Sequence, residues 1–313
     1  MIIALAAVLL AGLLFAPSSV SWGALQGALP FAAVLAIVAL GQTLVVMQGG
    51  IDLSVAGAIS LGVVIVSHEA YGDNARLLPA IALALLAAVL AGVLNGILVA
   101  LLRMNAIVAT LGTNALLYAV VLGISGGTPR QTTSLMAHIA GGTLLGVPNS
   151  IYVAVVVLVV VTLIVKRTVS GRRFEAVGAN PRAARIVNIN VQRHVAMAYV
   201  GAQVLYWVGA VLLAGIINKP SAFQGDTYLL SSVAAVVLGG TSLLGGRGYL
   251  VESALAALFL TQLEQLVLAL GASYAVQTLT QAVAFAVGVA LYTIPWSELR
   301  ALVRRRRTRS AET

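Results

Sequence analysis

The 313-residue sequence contains no cysteine, and only 9% of its residues are charged. The first absence excludes a disulfide framework and any thiolate site. The second excludes a soluble domain of this length, which needs far more charged surface. Strand-like alternation of apolar and polar residues is also lacking, which argues against a transmembrane barrel. No basic residue precedes the opening run MIIALAAVLLAGLLF. It therefore reads as a first, somewhat short span, with a processed signal as the alternative. Only two lysines occur, Lys166 and Lys219, and neither follows the glycines of a phosphate-binding loop. The chain thus has no Walker-type ATP site and binds no cofactor of its own. No HExxH pattern suggests a metal.

What remains is grease. Sixty per cent of the residues are hydrophobic, and mean hydropathy is +1.04. Ten apolar segments stand out, at 2–16, 30–47, 54–67, 79–101, 106–123, 149–165, 195–217, 229–244, 250–270 and 274–293. In lipid every backbone polar group must find an internal partner, so helices are the expected form. Ten crossings with both ends inside place fifteen of the eighteen Lys and Arg on the cytoplasmic side. Only Arg76, Arg130 and Lys219 fall outside. Cationic residues of the tail, RRRRTR at 304–309, are expected to meet anionic lipid rather than nucleic acid.

The stretch 165–195 departs from its surroundings. It holds Lys166, Arg167, Arg172, Arg173, Arg182, Arg185 and Arg193, with Glu175 as its one anion. Asn180 is a good N-cap and Pro181 suits the first helical position. "FEAVGA" before it is expected to form a further turn. Two readings stand: a loop that merely sets topology, and an element built to dock a cytoplasmic partner.

Several polar residues lie in or near the apolar segments. Asp52 follows Gly49 and Gly50 and is placed either to cap a helix starting near Ser54 or to line a path. Glu252 is expected to pair with Arg247. Glu264 lies deeper, flanked by Gln262 and Gln265. Asn95, Thr110, Asn114, Gln277 and Gln281 could pair the hydroxyls of a polar solute or hold helices together. "QGGIDLS" reads as a break in helix beside a cavity. "GGTSLLGGRG" (239–248) imitates a phosphate loop by glycine count but reads as a helix end or close contact. "GISGG" matches a serine nucleophile pattern at Ser125. Of His68, His138 and His194, only His138 is a candidate base, and a glycine-rich helix end is the simpler account.

Four blocks, "GQTLVVMQGGIDLSVAGAISL" (41–61), "NGILVALLRMNAIVATLGT" (95–113), "GRRFEAVGANPRAARIVNINV" (171–191) and "AAVVLGGTSLLGGRG" (234–248), together resemble the permease subunits of monosaccharide ABC importers of the ribose type. The resemblance implies an all-α polytopic membrane protein of about ten transmembrane helices, with both termini cytoplasmic. It implies a single transmembrane domain over 1–313, a cytoplasmic coupling loop at 166–194 and a basic tail at 296–313. Two permease copies, identical or sister, would form the path in the bacterial inner membrane. They would work with a cytoplasmic ATPase, which binds ATP and Mg, and an extracytoplasmic sugar-binding protein. Glu175, Val177, Gly178, Asn180, Ala183, Ala184 and Arg185 would then meet the ATPase. Asp52, Ser54, Asn95, Thr110, Asn114, Glu264 and Gln277 are the candidates for the substrate path. The chain departs from the family pattern in lacking a basic N-terminal tail, in Asn188 where Gly is common, and in Glu264 and Gln265. The rival readings are an ion-coupled secondary transporter and, more remotely, an intramembrane serine protease using Ser125.

Overall fold

The computed structural model describes residues 1–293; the basic tail at 296–313 lies outside the described residues. Thirteen α-helices follow one another among them: α1 (Ile2–Phe15), α2 (Trp22–Met47), α3 (Val55–His68), α4 (Asn74–Gly96), α5 (Ala106–Ser125), α6 (Ser134–Gly141), α7 (Asn149–Arg167), α8 (Val169–Ala179), α9 (Pro181–Ile186), α10 (Val191–Ile217), α11 (Asp226–Leu238), α12 (Leu250–Ala269) and α13 (Tyr274–Thr293). A π-helical turn, Ile97–Leu101, extends α4. A two-residue hairpin, Thr143–Leu144 with Val147–Pro148, follows α6.

Ten of these helices correspond to the ten apolar segments of the sequence. Six are long and apolar enough to cross a membrane alone: α2, α4 with its π turn, α5, α7, α10 and α12. The other four have shorter apolar lengths. At 1.5 Å per residue the 14-residue α1 and α3 rise about 21 Å, well short of a ~30 Å hydrocarbon core. Length thus supports six crossings outright, and the expected ten rest on shorter helices completing the set.

Helix starts are written by caps rather than by hydrophobicity. Asp73 accepts from the Ala75 N–H at 2.9 Å and starts α4 ahead of Pro79. Ser21 does the same for α2, which runs through Pro30. Both helices therefore begin earlier than their apolar runs suggest. Asn105 caps α5, and Asn190 caps α10 through the Arg193 N–H at 2.9 Å. Each such cap contributes about 0.5–2 kcal/mol.

The core is built on α2 and α10, which pack against each other; α2 also packs on α12, and α10 on α4. Residues 32–40 of α2 are all buried, which is the pattern of a helix surrounded by helices rather than by lipid. Gly92 and Gly96, four residues apart on α4, form the seam with α10. A Cβ on Gly92 would stand 2.7 Å from the Val200 Cα, and one on Gly96 3.0 Å from the Ala196 Cβ. Only hydrogen fits there, so the two backbones meet directly.

Candidate functional site

The chain breaks its helical run between α2 and α3, and the break frees main-chain groups that must be paired inside the protein. Side chains of α5 and α2, with Asp52 itself, pair them, while α4 and α10 reach the side chains of the break. On α5, Thr110 and Asn114 lie one turn apart; Thr110 Oγ1 accepts from the Leu53 N–H at 3.0 Å and Asn114 Oδ1 from the Gly57 N–H at 2.7 Å. Asp52 Oδ1 accepts from the Ser54 N–H at 2.9 Å and from the Ser54 hydroxyl at 2.5 Å. Ser54 Oγ in turn accepts from Asn95 Nδ2 on α4 at 2.9 Å and from Gln203 Nε2 on α10 at 2.8 Å. Gln203 Nε2 also lies 3.3 Å from Asp52 Oδ2. From α2, the Gln42 carboxamide is oriented to pair with both the N–H and the C=O of Asp52, at 3.2 Å each, and lies 2.8 Å from the Tyr206 hydroxyl. Asp52, Ser54, Asn95, Gln42 and Gln203 have no solvent exposure. The result is a closed polar seam that ties α2, α3, α4, α5 and α10 together.

A second cluster lies at the end carrying the arginine-rich island. The island forms two helices, α8 and α9, where one helix and a turn were expected. Thr168 caps α8 through the Gly171 N–H at 3.0 Å, and Asn180 caps α9 through Arg182 N–H and Ala183 N–H at 3.1 and 3.0 Å. Val177 and Ala184 are buried against Val191, so the two helices share a small apolar core of their own. This unit is clasped to the end of α2. Gln48 Nε2 donates to the Phe174 carbonyl at 3.0 Å. Gly178 packs so closely on the Met47 carbonyl that a Cβ would overlap it. Lys166 pairs with Glu175 at 2.5 Å and donates to the Gly248 carbonyl at 3.2 Å. The glycine-rich 239–248 loop joins the same junction through Gly246 N–H to Met47 O at 3.0 Å. Its glycines serve backbone contact, as the close-approach reading expected.

The third feature is a cleft of about 390 Å³ among α2, α11, α12 and α13. Its lining carries Asp226, Thr227, Glu264, Gln277 and Gln281 beside Phe31 and Leu35. No Lys or Arg is among the described lining residues. Asp226 is held in place from behind by the Tyr118 hydroxyl of α5, which lies 3.4 Å from Ser60 Oγ on α3. Ser60 Oγ also accepts from the Gly225 N–H at 2.9 Å, just before α11.

A family of permease components, described as branched-chain amino acid transport system permeases, matches residues 23–292. The chain belongs to this permease family. It is 33% identical to the ribose import permease of Escherichia coli K12, over 82% of this chain and 81% of that protein. It is 34% identical to a probable ABC transporter permease of Sinorhizobium fredii, over 79% and 74%. An autoinducer 2 import permease of Yersinia enterocolitica is 32% identical over 74% and 72%. No solved structure matches the chain. The permease is thus an all-α, multi-pass protein of the inner membrane and the membrane-spanning component of an ABC importer.

The permease sorts its path candidates into two places. Asp52, Ser54, Asn95, Thr110 and Asn114 all belong to the seam, where Thr110, Asn114 and Asp52 pair the broken main chain and Asn95 Nδ2 pairs Ser54; the buried Asn95 Oδ1 and Gln203 Oε1 have no partner among the described residues. Glu264 and Gln277 line the cleft, with Gln281 beside them. Of the coupling candidates, Asn180, Ala183 and Arg185 are exposed, Glu175 and Gly178 are half-buried against the rest of the permease, and Val177 and Ala184 are buried. Glu252 and Arg247 form no ion pair among the described residues, where a local pair was expected. Ser125 Oγ donates to the Val121 carbonyl at 2.7 Å and accepts from the Gly127 N–H at 3.1 Å, closing the end of α5 where Gly126 turns left-handed. That is a helix terminus, with no histidine bonded to the serine among the described residues. Gln42, Gln203, Tyr118 and Asp226 were not singled out from the sequence. The first two did carry a signal: each is a lone amide inside an apolar run, "ALGQTLV" and "VGAQVLY".

Proposed function

We propose that the permease carries a monosaccharide or a related small polar solute inward, with the cleft receiving the solute and the island seated on a cytoplasmic ATPase. The observation that carries this reading is the clasp between the island and the break after α2. A loop that only set topology would need loose cations. This one has caps, a buried core of its own and main-chain contact with a central helix, which suits an element that transmits force. The count of arginines by loop supports a cytoplasmic island, with both termini on that side and the cleft opening outward.

Amides, carboxylates and hydroxyls without a cation are the chemistry that pairs sugar hydroxyls. The names of the relatives, ribose and autoinducer 2 import permeases, support a solute of this kind. Energy comes from ATP and Mg in a separate ATPase, since this chain has no phosphate loop and performs no catalysis itself. A second permease, identical or sister, would complete the path, and an extracytoplasmic binding protein would deliver the solute. Residues 1–313 form one transmembrane domain with its coupling loop at 166–194 and a basic tail at 296–313.

Reconstitution tests this directly. The permease with its ATPase and binding protein should accumulate solute in vesicles supplied with ATP. The permease alone, given a proton or sodium gradient, should accumulate none; uptake there would establish the ion-coupled reading instead. Replacing Val177 by Asp and Gly178 by Pro should abolish uptake while the protein stays in the membrane.

A further inference from the structure

A groove of about 450 Å³ lies between α7, α10 and α8, away from both the seam and the cleft. One face of α7 supplies Val156, Val160 and Ile164; Met197 and Gly201 of α10 form the other wall, and Phe174 of α8 forms the cytoplasmic floor. These walls are open to the surroundings: Val156 is 61% exposed, Ile164 52% and Met197 48%. Along α7 the lining runs from Val156 to Val165, a rise of about 13 Å, against ~15 Å of hydrocarbon in one leaflet.

Helical spacing sets two cations just beyond the lining residues, at the cytoplasmic end of the groove. Arg167 follows Ile164 by three positions and Arg193 precedes Met197 by four, so each continues a lining stripe beyond the apolar zone. Both are exposed, and neither has an acidic partner among the described residues. Ser170, at the start of α8, lines the same end. We infer that this groove binds one anionic phospholipid of the cytoplasmic leaflet, its acyl chain along α7 and its phosphate between Arg167 and Arg193. An anionic headgroup complements the two guanidinium groups, which a neutral one does not. The site matters for transport because Phe174, the floor, is also the residue that Gln48 holds. A lipid in the groove braces α8 against the end of α2.

The inference assumes the orientation proposed above, but its test reads lipid contact and not transport. The permease, assembled with its ATPase, is placed in nanodiscs containing photoreactive phosphatidylglycerol or photoreactive phosphatidylcholine, and adducts are mapped by mass spectrometry. Adducts on α7 and α10 lining residues are expected severalfold more often with phosphatidylglycerol. Arg167→Gln with Arg193→Gln should remove that preference, and Val160→Trp should remove the adducts themselves. The double arginine variant changes only exposed positions and keeps the result readable should the tryptophan variant fold poorly. Equal labelling by both lipids, labelling indifferent to the arginine variant, or a disulfide between two permease copies at Val160→Cys would overturn the inference.

Discussion

Gln48, at the end of α2, donates to the main-chain carbonyl of Phe174 in α8 at 3.0 Å. One turn along α8, Gly178 meets the Met47 carbonyl with no room for a Cβ. These two contacts tie the island to the central helix, and the proposed coupling needs the two to move together. Four residues after Gln48 stands Asp52, whose main chain Gln42 holds and whose carboxylate binds Ser54. Displacement of α8 therefore reaches the seam within one short connection.

Gly178→Val should break this link. Its side chain would have to displace the Met47 backbone, and overpacking of this kind costs about 1–3 kcal/mol. Stimulation of the partner ATPase by loaded binding protein is expected to fall by about tenfold, a 1.4 kcal/mol effect. Unchanged stimulation in reconstituted vesicles would refute the clasp as the coupling route.

Gln203→Leu should destabilise the protein without touching the cleft. It removes the donor to Ser54 Oγ and Asp52 Oδ2 in a site with no solvent, and a buried polar group left unpaired costs about 1–3 kcal/mol. Thermal unfolding in detergent should shift downward.

Gln277→Leu together with Gln281→Leu should lower solute uptake by about tenfold or more, since each lost hydrogen bond is worth ~0.5–1.5 kcal/mol. Expression, membrane insertion and the melting temperature are expected to stay close to the parent. Uptake at the parental rate would remove the cleft from the path.

The cysteine-free sequence makes sidedness easy to check. Ile186→Cys in α9 and Leu145→Cys in the hairpin turn alter residues 86% and 92% exposed. An impermeant thiol reagent added to intact cells should label the second and spare the first. The reverse pattern would invert the whole orientation.

Ser125→Ala should retain full uptake. The hydroxyl does no more than close the end of α5, so a stability loss of about 0.5–1.5 kcal/mol for its hydrogen bond is the expected effect. Loss of a proteolytic activity in this variant would favour the serine protease reading.

Hydrophobicity announced the ten apolar helices, and the caps at Asn180 and Pro181 announced α9. The helix starts were harder, because Asp73 and Ser21 begin α4 and α2 in segments that are not themselves apolar. α8 was half visible in "FEAVGA"; its cap, Thr168, lies outside that stretch. Asp52, Ser54, Asn95, Thr110 and Asn114 stood out as polar residues in grease, but nothing in a linear string shows that they converge on one broken connection. Gln203 enters from more than a hundred residues away, and only packing of α10 against α4 brings it there. The cleft was harder still. Asp226 reads as a loop residue until Tyr118 of α5 and the turn after Gly225 bring it beside Glu264.

A carboxylate at the middle of a membrane protein is commonly where ions slip through. Here Asp52 is shut in, with no solvent exposure, by the amides of Gln203 on α10 and Gln42 on α2 and by Ser54 of its own connection. On the proposed reading an idle copy should carry no ion current through this connection, so planar bilayers holding the permease are expected to keep their voltage.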